Sequence, residues 1–289
     1  MVDINRGTSG VVLPSAVSGE ILSKMQEASI IQSAARRIAL PGSGAVIDTI
    51  TGEPTAAWVA ETADKPVSNA TVGAKTLRGY KLAVIETFSN EFRRDKAALY
   101  NELVNRLPLA LAKKFDTTAF FGSGPGSDFD DLSGVTSIDF ETAPYDALVS
   151  ALQTIGVAGY DMNGIIVSPA AEALMFGAKD GNDRPLFISN AQTDGSIGAA
   201  LGRPVFKSRH AAAGTSPEDT IGFAGDWSQA IWGTVEDVQI AISDQASLVS
   251  GESTINLFQQ NMFAVRAEIE VGFVVGDEDA FVQFALAAA

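Results

Sequence analysis

The residues that could do chemistry are few and scattered. His210, in RHAAAG, is the only histidine, and the chain has no cysteine. A lone imidazole can carry a proton or fill one metal position, but a hydrolytic or metal centre needs partners at set spacings. None stands beside it in sequence, so His210 reads as a loop residue. The glycines from Gly122 to Gly126 resemble a phosphate cradle only in composition. Such a cradle follows a strand, opens a helix and ends in Gly-Lys-Ser/Thr. This one follows a helical pattern and runs into Asp128, Asp130 and Asp131, so it reads as a helix terminator and turn. The three aspartates offer oxygen ligands without the glycine and distal glutamate of a calcium loop. Ser168 and Ser228 have no base within reach and no Gly-x-Ser-x-Gly elbow around them. Glu268 and Glu270 alternate along a strand pattern, on its solvent side rather than as an acid–base pair. Thiolate catalysis, thiolate metal sites and disulfides are excluded outright. No catalytic set, cofactor or metal is expected, and the chain reads as a non-enzyme.

The elements that would position these residues have unusual lengths. From Ala97 to Phe121 the residues Leu99, Leu103, Leu107, Leu111, Phe115 and Ala119 form a sustained i, i+4 stripe. This predicts a helix about 37 Å long, with Ser89 as N-cap, Pro108 as a kink or local break, and Gly122 as terminator. From Leu257 to Val275 the residues alternate with a period of two, with Phe263, Val265, Ala267, Ile269, Val271, Phe273 and Val275 on one face of a strand from Met262 to Val275. That predicts a strand of roughly 45 Å. An over-long helix and an over-long strand are natural packing partners, and they come from distant parts of the chain.

Between them, about 140–242 reads as a compact α/β unit. It has helices over Tyr145–Ile155 and from Pro169 to Phe176, and strands at Gly164–Val167, Leu186–Ile188, Pro204–Ser208, Ile221–Phe223, Ala230–Trp232 and Val238–Ile242. Before them, Ile21, Leu22, Met25, Ile30 and Ile31 suggest an arm with a short helix after Ser18 and a second apolar turn.

The segment from Ala45 to Phe88 is written as a β ribbon whose two ends are apolar and whose middle, Gly52 to Gly79, is small and polar apart from Trp58 and Val59. An isolated two-stranded ribbon is marginal in water. A ribbon that cannot bury its own tip is either a mobile loop or an arm that packs on another chain. This points to assembly.

With 289 residues, 46% hydrophobic and 19% charged, the composition is that of an ordinary globular protein. No apolar run approaches the roughly 18 residues that span a bilayer. The opening MVDINRGTSG lacks a signal pattern, so folding in the cytosol is expected. The formal charge of −15 is uneven: residues 1–120 carry 14 Lys and Arg against 12 Asp and Glu, and 121–289 carry 6 against 23. The first part is thus +2 and the second −17. No broad basic footprint for tight nucleic-acid binding exists. The acidic surface favours solubility, and the near-neutral front part can meet the acidic remainder of a neighbouring copy.

Taken in order, a series of segments resembles the major capsid proteins of tailed bacteriophages, with the Hong Kong 97 capsid fold. They are Leu13-Pro14, WVAETADKPVS (Trp58 to Ser68), YKLAVIETFSNEF (Tyr80 to Phe92), KFDTTAFFGSG (Lys114 to Gly124), Leu132 to Val135, IIVSPAAEALMFGAKDGNDRPLF (Ile165 to Phe187), LGRPVFKS (Leu201 to Ser208), FAGDWSQAIWG (Phe223 to Gly233) and DEDAFVQF (Asp277 to Phe284). The resemblance implies an α+β fold with an N-terminal arm (1–44), an extended β-ribbon loop (45–82), a peripheral domain with a long spine helix (83–139), an α/β axial domain (140–242), and return strands of the peripheral domain with the C-terminus (243–289). It implies a structural protein that forms hexamers and pentamers closing into an icosahedral shell around double-stranded DNA, located in the virion and assembled in the bacterial host cytoplasm. The implied partners are further copies of the chain, a portal, and separate scaffolding, protease or decoration proteins, with packaged DNA bound without sequence preference and no membrane. Many relatives carry a scaffolding segment before the arm, whereas this chain begins almost on it, which implies a separate scaffolding protein or none. Trp58, Glu61, Lys65, Lys75 and Arg78 on the ribbon, with Arg93 and Arg94 after it, are the expected subunit contacts.

Some relatives weld their shells by isopeptide bonds between a ribbon lysine and a neighbour's asparagine, promoted by a glutamate in an apolar pocket. Here Lys65 and Lys75, Asn256 and Asn261, and Glu252 or Glu268 are the available groups. The polar face under Glu268 and the Ser/Gly-rich turn at Glu252 are poor pockets, so a noncovalent shell is expected. The other readings are an encapsulin-like protein compartment of the same fold and an unrelated α/β hydrolase.

Overall fold

The computed structural model describes residues 24–25, 28–52, 55–59, 61, 64–65, 67, 71–91, 96–187, 198–213, 219–250 and 253–286. Of the expected helix after Ser18 only Lys24 and Met25 are described, both helical and Met25 fully buried; the rest lies outside the described residues. The second apolar turn is α1 (Ile30–Ala34), capped by the Ser29 hydroxyl, which accepts a hydrogen bond from the Gln32 amide.

Two sheets share one helix. The first has the order β1-β10-β13-β4. β1 (Arg36–Ala39) runs parallel to β10 (Ala230–Ser243), β10 is antiparallel to β13 (Met262–Val275), and β4 (Tyr80–Ser89) closes the other edge, in register from Ser89 opposite Met262 to Tyr80 opposite Val271. β13 has the predicted bounds, and the seven apolar residues of its inner face are each at most 2% exposed. Full burial of each larger one stabilises the fold by about 1.5–3 kcal/mol.

They are covered by α2 (Lys96–Phe121), which presents Leu107, Leu111, Phe115 and Ala119 to them. The Phe115 ring meets Phe273 edge-on, with centroids 6.2 Å apart and planes at 90°. Of the kink or local break expected at Pro108, the break does not occur: α2 is one helix with Pro108 inside it. Ser89 is not its N-cap: it ends β4, and its hydroxyl accepts from the Glu91 amide. Gly122 does terminate the helix, at φ +76°, with its amide bonded to the Thr118 carbonyl.

The second sheet has the order β5-β14-β9-β6-β8-β7, from β5 (Thr136–Asp139), β6 (Gly164–Val167), β7 (Ala199–Ala200), β8 (Arg203–Lys207), β9 (Thr220–Gly225) and β14 (Phe281–Ala285). α3 (Pro144–Val157) and α4 (Pro169–Gly177) pack against it. The stretch expected as a strand at Leu186–Ile188 is not one in its described part. Leu186 and Phe187 follow only a single bridge between Lys179 and Pro185, while Ile188 lies outside the described residues. The two strands expected at Ala230–Trp232 and Val238–Ile242 are one strand, β10, whose pairing with β13 slips at Thr234/Glu236 and again at Glu236/Gln239. β10 belongs to the first sheet and β14 to the second, so the chain crosses between the two units near each end of β9 to β14. Phe120 at the end of α2 stacks on Phe223 of β9 at 4.7 Å, joining both units in one core.

Candidate assembly surface

The ribbon is built from β2 (Ala45–Gly52) and β3 (Thr71–Leu77), antiparallel, from Ala45 opposite Leu77 to Gly52 opposite Thr71. The return strand therefore ends at Leu77, and after Arg78 and Gly79 the chain already enters β4. Leu77 is fully buried with Leu40, Ile231 and Val274. Lys75 adds a clamp: its Nζ lies 3.0 Å from Asp130 Oδ2 and donates to the Val275 carbonyl at 2.7 Å, while the same carboxylate oxygen accepts from the Val275 amide. The ion pair is partly exposed and contributes about 1 kcal/mol or less by itself. Its geometric effect is larger, because it ties ribbon, turn and long strand together. At Gly272 the Arg78 carbonyl comes so close that a Cβ would stand 2.3 Å from it.

Beyond this root the described residues of the ribbon's middle, 55–59, 61, 64–65 and 67, are all exposed. Trp58 has a relative exposure of 105% and Val67 of 89%, and Glu61, Lys65 and Arg78 are exposed. The predicted contact residues thus divide. Trp58, Glu61, Lys65 and Arg78 are free on the surface, Lys75 is engaged within its own subunit, and Arg93 and Arg94 lie outside the described residues.

Of the residues available for a covalent weld, Asn256, Asn261 and Glu268 make polar contacts within their own subunit. Asn256 Oδ1 accepts from the Gln259 amide, and Asn261 Oδ1 accepts from Asn90 Nδ2 at 2.9 Å. Glu268 Oε2 is 3.2 Å from Arg266 Nε, an ion pair rather than an apolar pocket, and Glu252 lies outside the described residues.

The candidates for catalysis take structural places. His210 is not simply a loop residue: its Nδ1 lies 3.0 Å from Asp116 Oδ2, and Asp116 is wholly buried in α2. A carboxylate only accepts, so Nδ1 carries the proton. Ser29 Oγ donates to the other oxygen at 2.5 Å, and the Ile30 amide donates to Oδ2 at 3.2 Å. Serine and histidine both address the carboxylate and not each other, so this is a latch of α1 onto α2 and not a nucleophile–base pair. Sequence reading missed it because Asp116 is 87 residues from Ser29 and 94 from His210.

Asp130 belongs to the Lys75 clamp and Asp131 accepts from the Ser133 amide and hydroxyl; among the described residues no group of three or more His, Cys, Asp or Glu could hold a metal ion. Tyr160 donates to Asp277 Oδ2 at 2.7 Å, and burial together with that carboxylate pushes its phenol up to about 12. No helix among the described residues is long and apolar enough to cross a membrane.

The comparisons with known proteins fit this geometry. A profile described as "Phage capsid family" matches residues 9–285. The chain is 31% identical over 284 residues to the "Probable major capsid protein gp17" of Mycobacterium phage L5, an alignment covering 91% of this chain and 86% of that one. A solved structure from Mycobacterium phage Ogopogo superposes with a TM-score of 0.75 at 19% identity, covering 90% of this chain and 92% of that chain. One titled "Capsid of empty GTA particle computed with C5 symmetry" does so at 0.68 and 16%, covering 100% and 96%. The fold is the α+β, Hong Kong 97-like fold of tailed-phage capsids, and the compartment and hydrolase readings are not favoured. With its arm turn, ribbon, spine helix and paired sheets all accounted for, the chain belongs to the phage capsid family, as a structural subunit of the icosahedral shell.

Proposed function

We infer that this capsid protein closes its shell noncovalently, as hexamers and pentamers whose ribbons lie over neighbouring copies, around double-stranded DNA in the host cytoplasm. The observation that carries the reading is the wholly exposed Trp58 at the end of a ribbon whose root is clamped to its own subunit. An indole is costly to leave in water, and a neighbour's surface removes that cost. Trp58, Glu61, Lys65, Arg78, Arg93 and Arg94 are the proposed contact set. Lys75 contributes by holding the root. A portal, and a separate scaffolding, protease or decoration protein, complete the proposed partners. The noncovalent closure is supported by Glu268, which is ion-paired with Arg266 and so is not the carboxylate in an apolar pocket that would take a lysine's proton.

The test is electron microscopy of the expressed chain, followed by boiling the particles in detergent. Closed shells that yield one band at 30.2 kDa support the reading. Small soluble oligomers overturn the assembly, and a ladder of covalent multimers overturns the noncovalent closure.

A further inference from the structure

The open face of the first sheet carries a hollow of about 190 Å³, bordered by Ile85, Ala241, Ala246, Leu248, Ala264 and Arg266. Ile85 stands out there. Its neighbours on the outward side of β4 are Lys81, Ala83, Thr87 and Ser89, and it is the one large apolar residue among them, 50% exposed. Three other hollows are lined by charged residues. One at the start of α3 includes Glu141, Asp146 and Lys179, one on the sheet includes Lys81, Glu236 and Glu270, and one under the ribbon root includes Asp48, Asp277 and Asp279.

We propose that this hollow on one subunit receives the Trp58 indole of a neighbouring copy, a residue-level contact that rests on the reading of the ribbon as an assembly arm. Three observations select that occupant. First, Trp58 and the hollow are each unfilled within the subunit, and they are apolar partners of comparable size. Second, an arginine stands on the rim: Arg266, ion-paired through Nε with Glu268, can lie over the indole face, as Arg37 lies 5.3 Å over Trp232 in the core.

Third, the placement suits rings. The ribbon leaves the sheet beside Gly272, whereas the hollow lies around Ala264 and Arg266 on the same strand, roughly 20 Å away at 3.3 Å per residue. Knob and hole at different ends of one chain make a head-to-tail contact, which closes into rings when repeated by a fixed rotation. A patch that paired with itself would stop at a dimer.

The test installs a benzophenone side chain at position 58 of the full chain, assembles shells, irradiates them and maps the cross-linked peptides. Expected is a product of two chains, joined from position 58 to residues 80–89, 241–248 or 262–266 of another copy. In parallel, Trp58→Ala and Ala246→Trp, which fills the hollow from within, each lower shell yield at least tenfold with melting unchanged, and Trp58→Phe restores most of it. Cross-links to any other surface, including the arm, α3 or the same chain, overturn the proposal even when shells form. Full yield from both Trp58→Ala and Ala246→Trp does the same. Failure of the unaltered chain to form shells overturns the assembly reading itself, and this contact with it.

Discussion

Trp58 and Trp232 show what the two ends of this molecule do with the same side chain. Trp232 lies in β10, 2% exposed, under the Arg37 guanidinium and inside the core that β13 and α2 share. Trp58 lies on the ribbon with its whole surface in solvent. Around Trp232 the sequence is Gln-Ala-Ile-Trp-Gly-Thr-Val, and the chain folds back to cover it. Around Trp58 it is Thr-Ala-Ala-Trp-Val-Ala-Glu, and nothing of its own subunit does. The body therefore holds the stability of the fold, in the proposed assembly the ribbon supplies free energy of association, and the boundary between them is Leu77 with the Lys75 clamp.

The largest effect should come from cutting at that boundary. Replacing 53–70 by a short Gly/Ser turn, with Leu77 and Lys75 kept, is expected to abolish closed shells in electron micrographs and leave a soluble protein with cooperative melting. Unfolding of that variant would place the ribbon in the core. In the body, Phe115→Ala removes the ring packed on Phe273 and Phe129. Denaturant unfolding should show a loss of about 3–5 kcal/mol; a change below 1 kcal/mol would break the division drawn here.

A smaller, local effect is expected at the latch. Asp116→Ala leaves the Ser29 hydroxyl, the Ile30 amide and His210 without their shared acceptor, at a cost of about 1–3 kcal/mol. Hydrogen exchange should rise first in 28–35, and a uniform rise across β13 instead would mean that the arm turn has no separate stability.

The smallest effect is alkaline. The Tyr160 phenol has its folded value raised from 10.0 to about 12, so the folded state holds the proton more tightly than the unfolded one. Its contribution is complete below about pH 10 and lost as pH rises toward 12. Melting temperature should fall between these values, and Tyr160→Phe should flatten that part of the fall; equal slopes would show that the Asp277 contact does not matter.

The long elements were legible because their periodicity is strong. Fourteen alternating residues fixed β13 to the residue, and the i, i+4 stripe placed α2 within one residue of its start. The ribbon's return was harder, since Thr71–Leu77 and Tyr80–Ser89 read as one β-rich run and only the turn at Arg78-Gly79 assigns them to different sheets. Ser89 looked like a helix cap because serine suits that role, but pairing with Met262 claimed its backbone first. The latch could not be read at all, because a polar contact between residues nearly 90 positions apart leaves no local pattern. The exposure of Trp58 was legible, because a tryptophan in a polar ribbon is conspicuous, whereas the engagement of Lys75 with Asp130 depends on where a distant turn lands.

The close approach at Gly272 bears on the curvature of the shell. The ribbon is aimed by a backbone seat that leaves no room for even a methyl group, so its direction is set by rigid atoms rather than by adjustable side chains. β2 alone would be roughly 26 Å long at 3.3 Å per residue. A tilt of about 5° at the root would therefore swing the far end by roughly 2 Å. In a closed surface the same tilt recurs at every subunit and accumulates around the circumference. A methyl group at this one glycine would be read out as particles of another diameter, or as sheets and spirals that never seal.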